Sequence, residues 1–388
     1  MKICLINNLY KPYNRGGAER ILELQLEGLV KAGHEVFIIT TKPWLGKKPE
    51  PLESQKIYRL RSCFYNLGKI PKIFRFFWHL TDIFSFVNYS QIKSILEKER
   101  PDIVITHNLK GIGYLTPLVI KNKRIKHIHI LHDIQLIHPS GLMIFGQEKE
   151  INSLFSKIYA GVCRTLFGSP AIAISPSTWL MEAHQQRKFF SRAKKTILPN
   201  PIALAEIYPE KNKSEKKDFI FLYVGQIEDH KGIIFLIEAW KNFAKNYALA
   251  RLVVAGGGSK LERAKKLASS EAIEFLGPQN KASIKNLMKT SDCLIVPSLC
   301  YENSPTVIYE AAEQSLPVIA SRLGGAEELV HNLGGVLFNP ADKSDLLLKM
   351  NWAVSNQQSL EVIGNESRQK IEEFSLDKYI KKLSSFLR

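Results

Sequence analysis

The stretch VPSLCYENSPTVIYEAAEQSLPVIASRLGGAEELV, residues 296–330, carries the pattern on which the fold prediction rests. An apolar strand ends at Pro297, and a helix is predicted to start at Ser304. Pro305 then lies in the first turn of that helix, where a missing backbone N–H costs nothing. A second apolar strand follows over residues 318–321. Apolar strands joined by helices are typical of parallel sheets covered on both faces.

The same alternation extends through both halves of the chain. The helix predicted over residues 18–32 has one apolar face and ends at Gly33, which can adopt a left-handed conformation. The pattern predicts an α/β protein built from two Rossmann-like, doubly wound parallel-sheet domains that face a central cleft. The predicted strands are residues 2–6, 36–40, 103–106, 128–132, 171–175, 196–199, 219–224, 251–255, 273–276, 293–297, 318–321 and 336–338.

Length and composition also favour two domains. A chain of 388 residues is longer than one hydrophobic core comfortably serves, and its 45% hydrophobic content excludes a disordered chain. The stretch 198–218 is rich first in proline and then in lysine, and it has no sustained periodicity. We therefore place the domains at residues 1–200 and 201–370, followed by a C-terminal helical segment at 371–388.

The cysteines and the apolar runs bear on the compartment. Five cysteines without CxxC spacing, with Cys4 and Cys293 inside apolar runs, indicate reduced core thiols. The longest stretch without Asp, Glu, Lys or Arg, residues 165–181, is interrupted by glycine and proline and is too short to span a bilayer. The first apolar run stops at Asn7, which does not fit a signal peptide. We expect a cytoplasmic protein.

Charge is distributed unevenly. Residues 1–200 contain 30 Lys and Arg against 14 Asp and Glu, whereas the remainder contains 24 against 23, so the first half carries +16 of the net +17. This asymmetry indicates an anionic partner for the first half, such as an acidic polymer or a membrane surface. A generally basic proteome is the alternative. Nucleic acid is disfavoured because no helix-turn-helix, zinc or RNA-binding signature accompanies the charge.

Residues 69–93 read KIPKIFRFFWHLTDIFSFVNYSQIK and interleave aromatic with basic side chains. Such a segment suits the headgroup region of a membrane, and the protein would then be peripheral at the inner face of the cytoplasmic membrane. A core helix with a charged rim fits almost as well. Periodicity does not separate the two interpretations.

Two glutamates flank the predicted helix start in the opening stretch. Glu302 precedes the turn and Glu310 lies on the helix, with seven residues between them. Backbone N–H groups around residues 305–307 would form an anion site at the helix N-terminus, and carboxylates accept hydrogen bonds from sugar hydroxyls. A phosphate site flanked by two carboxylates predicts sugar-nucleotide binding. Two ordinary solvated charges are the alternative.

Further loops with glycine follow predicted strands. None of them matches the GxGxxG or GxxxxGK[ST] pattern, which disfavours nicotinamide binding and P-loop chemistry. Each is weak evidence alone, because glycine is routine where a strand turns into a helix. The candidate residues in these loops are Gly16 and Gly17, Gly225 with Lys231, and Gly256 with Gly257.

Taken in order, these motifs resemble those of retaining glycosyltransferases of family 4, which have the GT-B architecture. The resemblance covers nearly the whole chain, and the Glu-x7-Glu block is its most specific part. It implies transfer of a hexosyl unit from a nucleoside-diphosphate sugar to a lipid-linked or polysaccharide acceptor, with retention of configuration, in cell-envelope polysaccharide biosynthesis. The motifs are RGGAER (15–20), LHD (131–133), LPNP (198–201), VGQIEDHKG (224–232), VAGGG (254–258) and YENSPTVIYEAAEQSLPVIAS (301–321).

The resemblance also implies roles for individual residues. Glu310 would hold the donor ribose, Glu302 and His132 would contact the transferred sugar, and Lys231 with nearby amides would hold the diphosphate. The C-terminal helix is expected to return to the first domain. The implied catalytic residues are His132, Lys231 and Glu302. The implied donor-binding residues are Gly16, Gly17, Gly225, Gln226, Lys231, Gly256, Gly257, Ser304, Pro305, Thr306, Val307 and Glu310.

Two positions depart from the family pattern. Gln226 stands where the family usually has arginine, so one cation near the diphosphate is missing, and Arg15 or Lys11 could compensate. Ser315 replaces the glycine usual after the Glu310 helix. The change at Gln226 bears on donor affinity and donor identity, not on the fold.

The chain contains no Asp-x-Asp triplet of the kind that holds a divalent metal at a leaving diphosphate. A helix N-terminus together with Lys231 can stabilise the same charge, so we predict metal-independent transfer without a cofactor. Two alternatives stay open: a sugar-nucleotide epimerase of the same architecture, and a non-catalytic homologue that binds sugar or polymer. Among the other histidines near strand ends, His107 is a weaker candidate and His129 is predicted to be structural.

Overall fold

The chain forms two compact units of parallel sheet and helix. One unit comprises residues 1–142, 149–201 and 376–388, and the other comprises residues 143–148 and 202–375. The computed structural model describes residues 1–13, 16–44, 55–62, 65, 70–71, 74–204, 218–268 and 272–388.

The first unit contains a seven-stranded parallel sheet in the order β3-β2-β1-β4-β5-β6-β7. Its strands are β1 (Lys2–Ile6), β2 (Glu35–Pro43), β3 (Lys56–Ser62), β4 (Ile103–Thr106), β5 (Lys126–Ile130), β6 (Ile172–Ser175) and β7 (Lys194–Ile197). Its first six helices are α1 (Gly17–Lys31), α2 (Arg75–Ile83), α3 (Phe86–Glu99), α4 (Thr116–Asn122), α5 (Leu154–Phe167) and α6 (Thr178–Gln185).

The second unit contains a six-stranded parallel sheet in the order β10-β9-β8-β11-β12-β13. Its strands are β8 (Phe219–Val224), β9 (Ala250–Ala255), β10 (Ile273–Gly277), β11 (Cys293–Val296), β12 (Val318–Ser321) and β13 (Val336–Phe338). Its helices are α7 (Ile233–Phe243), α8 (Leu261–Leu267), α9 (Lys281–Thr290), α10 (Thr306–Glu313), α11 (Gly324–Leu333), α12 (Lys343–Ser355) and α13 (Gln357–Lys370).

The last helix, α14 (Leu376–Ser385), belongs to the first unit and packs on α1. The amide nitrogen of Gln25 donates to the Tyr379 hydroxyl at 2.6 Å. A Cβ atom at Gly28 would lie 2.3 Å from the Ile380 side chain, so this glycine leaves room for Ile380 of α14 against α1. The apolar side chains of α14 join the core cluster formed by the first sheet.

The predicted fold class is confirmed, with differences at several element boundaries. Helix α10 starts at Thr306 and not at Ser304, because Pro305 has an extended conformation and stands just before the first turn. Strand β5 ends at Ile130, so His132 lies in the following loop and not within the strand. Helix α1 ends at Lys31, and Gly33 has the predicted left-handed conformation.

Strand β3 is absent from the predicted strands. Its sequence, KIYRLRS, mixes charged with apolar side chains. This composition suits a strand at the edge of the sheet that is only partly buried. It therefore lacks the continuous apolar run that predicts a strand buried on both faces. The Glu99 carboxylate anchors this edge by accepting hydrogen bonds from Lys56 and Tyr58. These bonds, together with one from Lys2, lower the pKa of Glu99 to about 2.

The described residues agree with the prediction of reduced core thiols. Cys4 and Cys293 are buried free thiols, as predicted. Within the ranges given above, no helix has both the length and the apolar character that a bilayer crossing requires.

Candidate functional site

Apart from Gly16 and Gly17, the residues predicted to bind the donor follow three neighbouring strands of the second sheet. Strands β9, β8 and β11 are adjacent, and in parallel sheets the loops at the carboxyl ends of adjacent strands meet at one edge. Gly256 and Gly257 follow β9; Gly225, Gln226 and Lys231 follow β8; Glu302 and the segment 304–307 follow β11, and Glu310 lies on α10.

Two of these side chains form the closest charged contact of the group. The Lys231 ammonium lies 2.6 Å from a carboxylate oxygen of Glu302, and the Ser298 hydroxyl donates to the same oxygen at 2.8 Å. Burial works against the charge on each partner, but their mutual attraction outweighs it. The pKa of Lys231 is therefore raised and that of Glu302 is lowered. Both groups remain charged near neutral pH.

Backbone contacts hold the loop that carries Glu302. The N–H of Leu299 donates to the carbonyl of His230 at 2.9 Å, beside Lys231. The carbonyl of Glu302 accepts from the N–H of Gly325, at the start of α11, at 2.7 Å. The loop after β11 is thus fixed to the turn after β8 and to the next helix.

Glycine at two positions is required by the protein's own packing. Gly256 has a φ of +150°, and a Cβ atom there would lie 1.8 Å from the carbonyl oxygen of Gly225. Gly232 has a φ of +73°, and a Cβ atom there would lie 1.8 Å from the carbonyl oxygen of Pro297. These close approaches bring the turns after β9, β8 and β11 together, so part of the glycine pattern is explained without a ligand.

The start of α10 has the geometry expected of an anion site. Thr306 and Val307 lie in the first turn, where a helix provides no acceptor for their N–H groups. The Ser304 hydroxyl pairs with the hydroxyl of buried Tyr309 at 2.7 Å, which fixes the segment leading into the helix. Glu310 is half-buried on the same helix.

Gln226 and Ser315 are the two positions that depart from the family pattern. Gln226 is exposed, and its backbone carbonyl accepts a hydrogen bond from the Tyr223 hydroxyl at 2.7 Å. Of the two cations that could compensate for it, Arg15 lies outside the described residues and Lys11 lies 3.5 Å from Glu23. Ser315 adopts a left-handed conformation with a φ of +53°, the geometry that glycine usually supplies after a helix.

His132 of the first unit pairs with a second histidine. Its Nε2 atom lies 2.8 Å from Nδ1 of His107, and the two rings stack with centroids 5.1 Å apart. Burial lowers the pKa of His132 to about 4 and that of His107 well below its ordinary value. Both rings are therefore neutral near pH 7, and one must donate to the other. His129 is buried against Thr106 and aromatic rings, as expected of a structural histidine.

Gly16 and Gly17 stand where β1 leads into α1. The Gly16 N–H donates to the Glu19 carboxylate at 2.6 Å, so a side chain of the helix itself caps this N-terminus. The two glycines are exposed. The structure places them after β1, which neighbours β4, the strand that precedes His107.

Two family models together cover most of the chain. The model described as "Glycosyltransferase Family 4" matches residues 15–206, and the model described as "Glycosyl transferases group 1" matches residues 205–370. The chain belongs to the group 1 glycosyltransferases.

Individual relatives of this glycosyltransferase are distant. An uncharacterized 42.6 kDa protein in the cps region of Klebsiella pneumoniae is 26% identical, over 87% of this chain and 90% of that protein. A UDP-Gal:alpha-D-GlcNAc-diphosphoundecaprenol alpha-1,3-galactosyltransferase of Escherichia coli is 25% identical, over 71% and 72%. The structure of Anabaena HepE in complex with UDP has a TM-score of 0.74 at 18% identity and covers 100% and 99% of the two chains, which supports the GT-B fold.

Two residues around the site of this glycosyltransferase, Ser298 and Glu228, were not predicted from the sequence. Ser298, which shares the Glu302 carboxylate with Lys231, stands two residues after β11 and has no distinctive motif. Glu228 accepts hydrogen bonds from both the N–H and the hydroxyl of Ser259, which ties the turn after β8 to the turn after β9. The only available signal was position, because short polar side chains after parallel strands often line the ligand edge.

Proposed function

We propose that this glycosyltransferase moves a hexosyl unit from a nucleoside-diphosphate sugar to a lipid-linked or polysaccharide acceptor during cell-envelope polysaccharide assembly. The observation that carries the proposal is the Lys231–Glu302 pair, in a loop network at the carboxyl ends of β8 and β11. The relative in a cps region and the relative named for a diphosphoundecaprenol acceptor support the acceptor class. The UDP complex of the structural neighbour supports a nucleotide donor.

The chemistry follows from where charge develops. As the bond from the sugar to the diphosphate breaks, negative charge grows on the leaving phosphate. The Lys231 ammonium and the N–H groups at the start of α10 are suited to stabilise that charge. Glu302 would accept hydrogen bonds from hydroxyls of the transferred sugar, and Glu310 would accept them from the ribose. His132, neutral near pH 7, is proposed to contact the transferred sugar.

Retention of configuration and metal independence are parts of the same proposal. For retention, the acceptor hydroxyl attacks on the face from which the diphosphate departs, and a phosphate oxygen takes its proton. No protein nucleophile is then required. Lys231 and the helix N-terminus supply the positive charge that a bound metal supplies in other enzymes, so we expect transfer to continue in excess EDTA.

A radiolabel experiment tests the proposal. Purified protein is incubated with UDP-glucose, UDP-galactose, UDP-N-acetylglucosamine or GDP-mannose and with a bacterial lipid extract. We expect label in the lipid or polymer fraction, in EDTA as well as in Mg²⁺, and a product whose anomeric proton coupling matches that of the donor. Interconversion of free nucleotide sugar would instead indicate an epimerase. Binding without transfer would indicate a non-catalytic homologue.

We further propose that the first unit contacts an anionic membrane surface. Aromatic side chains of α2 and α3 point outward: Phe77 is 63% exposed and Phe86 is 68% exposed, whereas Trp78 is buried. Helix α5 exposes Leu154 and Ile158 and has no acidic residue in its sequence. Lys69 and Lys72 lie outside the described residues. Exposed apolar side chains on a strongly basic half-chain suit an anionic bilayer.

Vesicle sedimentation tests the membrane proposal. We expect the protein to bind vesicles containing phosphatidylglycerol at low salt and to be released as salt rises, because screening weakens attraction between exposed charges. The variant Phe77→Ser/Phe86→Ser should bind at least about tenfold more weakly, since each side chain loses apolar transfer energy. Leu348→Ser removes a residue of the second unit that is 61% exposed, and this control should bind like the wild type. Equal binding to neutral vesicles, or none at any salt, would contradict the proposal.

A further inference from the structure

A short segment of the first half of the chain pairs with the loop that carries Glu302. Residues 143–148 belong to the second unit, although the chain on both sides of them belongs to the first. Ile144 and Cys300 form an antiparallel bridge. The N–H of Phe145 donates to the carbonyl of Leu299 at 2.8 Å, and the N–H of Tyr301 donates to the carbonyl of Met143 at 2.9 Å. We call residues 143–148 the strap.

A side-chain hydrogen bond closes the strap onto the loop. The Glu148 carboxylate accepts from the Tyr301 hydroxyl at 3.1 Å and from the N–H of Gly146 at 2.9 Å. Burial tends to raise the pKa of Glu148, but hydrogen bonds from its own backbone N–H, from the N–H of Gly146 and from Tyr301 outweigh burial, and the pKa is lowered. Burial and the same carboxylate raise the pKa of Tyr301 to about 12. An ionised carboxylate and a protonated phenol therefore face each other across the neutral pH range.

The strap continues the network that positions the candidate catalytic pair. Leu299 is held on both sides, because its carbonyl accepts from Phe145 and its N–H donates to His230. His230 adjoins Lys231, and Tyr301 adjoins Glu302. Ser298, on the other side of Leu299, donates to the Glu302 carboxylate. The backbone from 298 to 302 is thus fixed by the strap on one side and by the Lys231 turn on the other.

We infer that the strap orients the Glu302 carboxylate toward the transferred sugar, with Tyr301 and Glu148 as positioning residues. The inference rests on the proposed function, in which Glu302 contacts sugar hydroxyls while Lys231 and the α10 N-terminus contact the diphosphate. The strap therefore governs recognition of the sugar and not of the nucleotide. It makes residues 143–148, which lie far from the donor motifs in sequence, a determinant of donor-sugar specificity.

Calorimetric titration of the wild type and four variants with UDP and UDP-glucose, and with GDP and GDP-mannose, tests the inference. Tyr301→Phe removes the donor of the side-chain bond, and Glu148→Gln replaces its charged acceptor by a neutral amide oxygen, each with little change in volume. We expect both variants to bind the matching nucleotide sugar about tenfold more weakly, the usual scale for losing a hydrogen bond to a charged group, and to bind the free nucleotide within about twofold of wild type. The free nucleotide is the informative ligand because it lacks the hydroxyls that Glu302 would contact.

Two matched controls accompany these variants. Glu150→Gln changes an exposed carboxylate two residues beyond the strap residue Glu148, and Tyr89→Phe removes a hydroxyl that accepts a bond from Asn122 at 3.4 Å in the first unit. Both should bind all four ligands like the wild type. Equal weakening for nucleotide and nucleotide sugar in Tyr301→Phe, or no weakening for either, would overturn the inference.

Hydrogen exchange separates failure of the strap from failure of the proposed function. If the wild type binds none of the four ligands, the proposed donor chemistry fails while the strap is still testable. Backbone N–H groups in peptides covering 143–148 and 298–302 should be protected in the wild type and should lose protection together in Tyr301→Phe. Unchanged exchange in either peptide would show that the Glu148–Tyr301 bond does not hold the two segments together.

Discussion

Replacing Lys231 with alanine is expected to lower turnover by about 10²–10³-fold, the usual effect of removing one preorganised group that stabilises developing negative charge. The expectation follows from the proposed role of the ammonium at the leaving diphosphate. It also follows from the pairing with Glu302, since the substitution leaves that carboxylate with Ser298 as its nearby donor. Initial rates of sugar transfer at saturating donor measure the effect.

The control for this substitution is Lys260→Ala. Lys260 lies close to the same turn, and its ammonium contacts Asp229 at 2.7 Å instead of Glu302. We expect its turnover to stay within about twofold of wild type, because the Lys260 ammonium pairs with Asp229 and not with Glu302. We expect the fold to stay intact, because a single exposed ion pair contributes little to stability. Thermal unfolding of both variants checks that the fold is intact. Turnover by Lys231→Ala equal to that of the Lys260 control would exclude the proposed role.

Acidification from pH 6.5 to pH 5 is expected to destabilise the protein by several kcal/mol. Burial lowers the pKa values of all eight histidines of the first unit, and the five that are buried most completely include His127, with a pKa of about 3, and His184, with a pKa of about 4. Each binds a proton in the unfolded chain below its ordinary pKa of about 6.5 but not in the folded chain, which costs up to about 1.4 kcal/mol per pH unit. The others of these five are His107, His129 and His132.

Two buried carboxyl groups act in the opposite direction. Burial raises the pKa of Asp82 to about 7 and that of Asp133 to about 6. These groups take up protons more readily in the folded chain, so each adds stability as the pH falls toward its unfolded pKa. Because five histidines act against two aspartates, the free energy of unfolding still falls by roughly 4 kcal/mol for each pH unit of acidification in this range. Stability is therefore greatest near neutral pH.

Urea unfolding at pH 7, 6 and 5 measures this dependence. The variant His184→Leu should reduce the slope by about 1.4 kcal/mol per pH unit. His184 is buried, and within the described residues its Nε2 atom has no hydrogen-bond partner, so leucine removes this titrating group together with the one bond from Nδ1 to the carbonyl of Leu180 at 2.8 Å. His331→Gln, at an exposed histidine of the second unit, is the control variant. Stability that stays constant or rises between pH 6.5 and 5 would contradict the assignment.

Much of the fold follows from the sequence because parallel strands buried on both faces are continuous apolar runs. Strands β1, β4, β8, β12 and β13 have the predicted limits, and the remaining predicted strands differ by a few residues. Strand β3 was missed because an edge strand buries too little of its surface to form such a run. The start of α10 was misplaced because local sequence does not decide whether Pro305 lies inside or just before the first turn.

The amino-acid sequence by itself determined the two α/β halves, the glycosyltransferase family and the set of residues after the strands. Apolar periodicity and motif spacing are local properties, and each can be read along the chain. Only the tertiary structure decided which of those residues meet. The Lys231–Glu302 pair, the His107–His132 pair and the Glu148–Tyr301 bond of the strap join positions that are 71, 25 and 153 residues apart in the chain. Such contacts depend on strand order and on the path of loops between strands, and no local pattern specifies either.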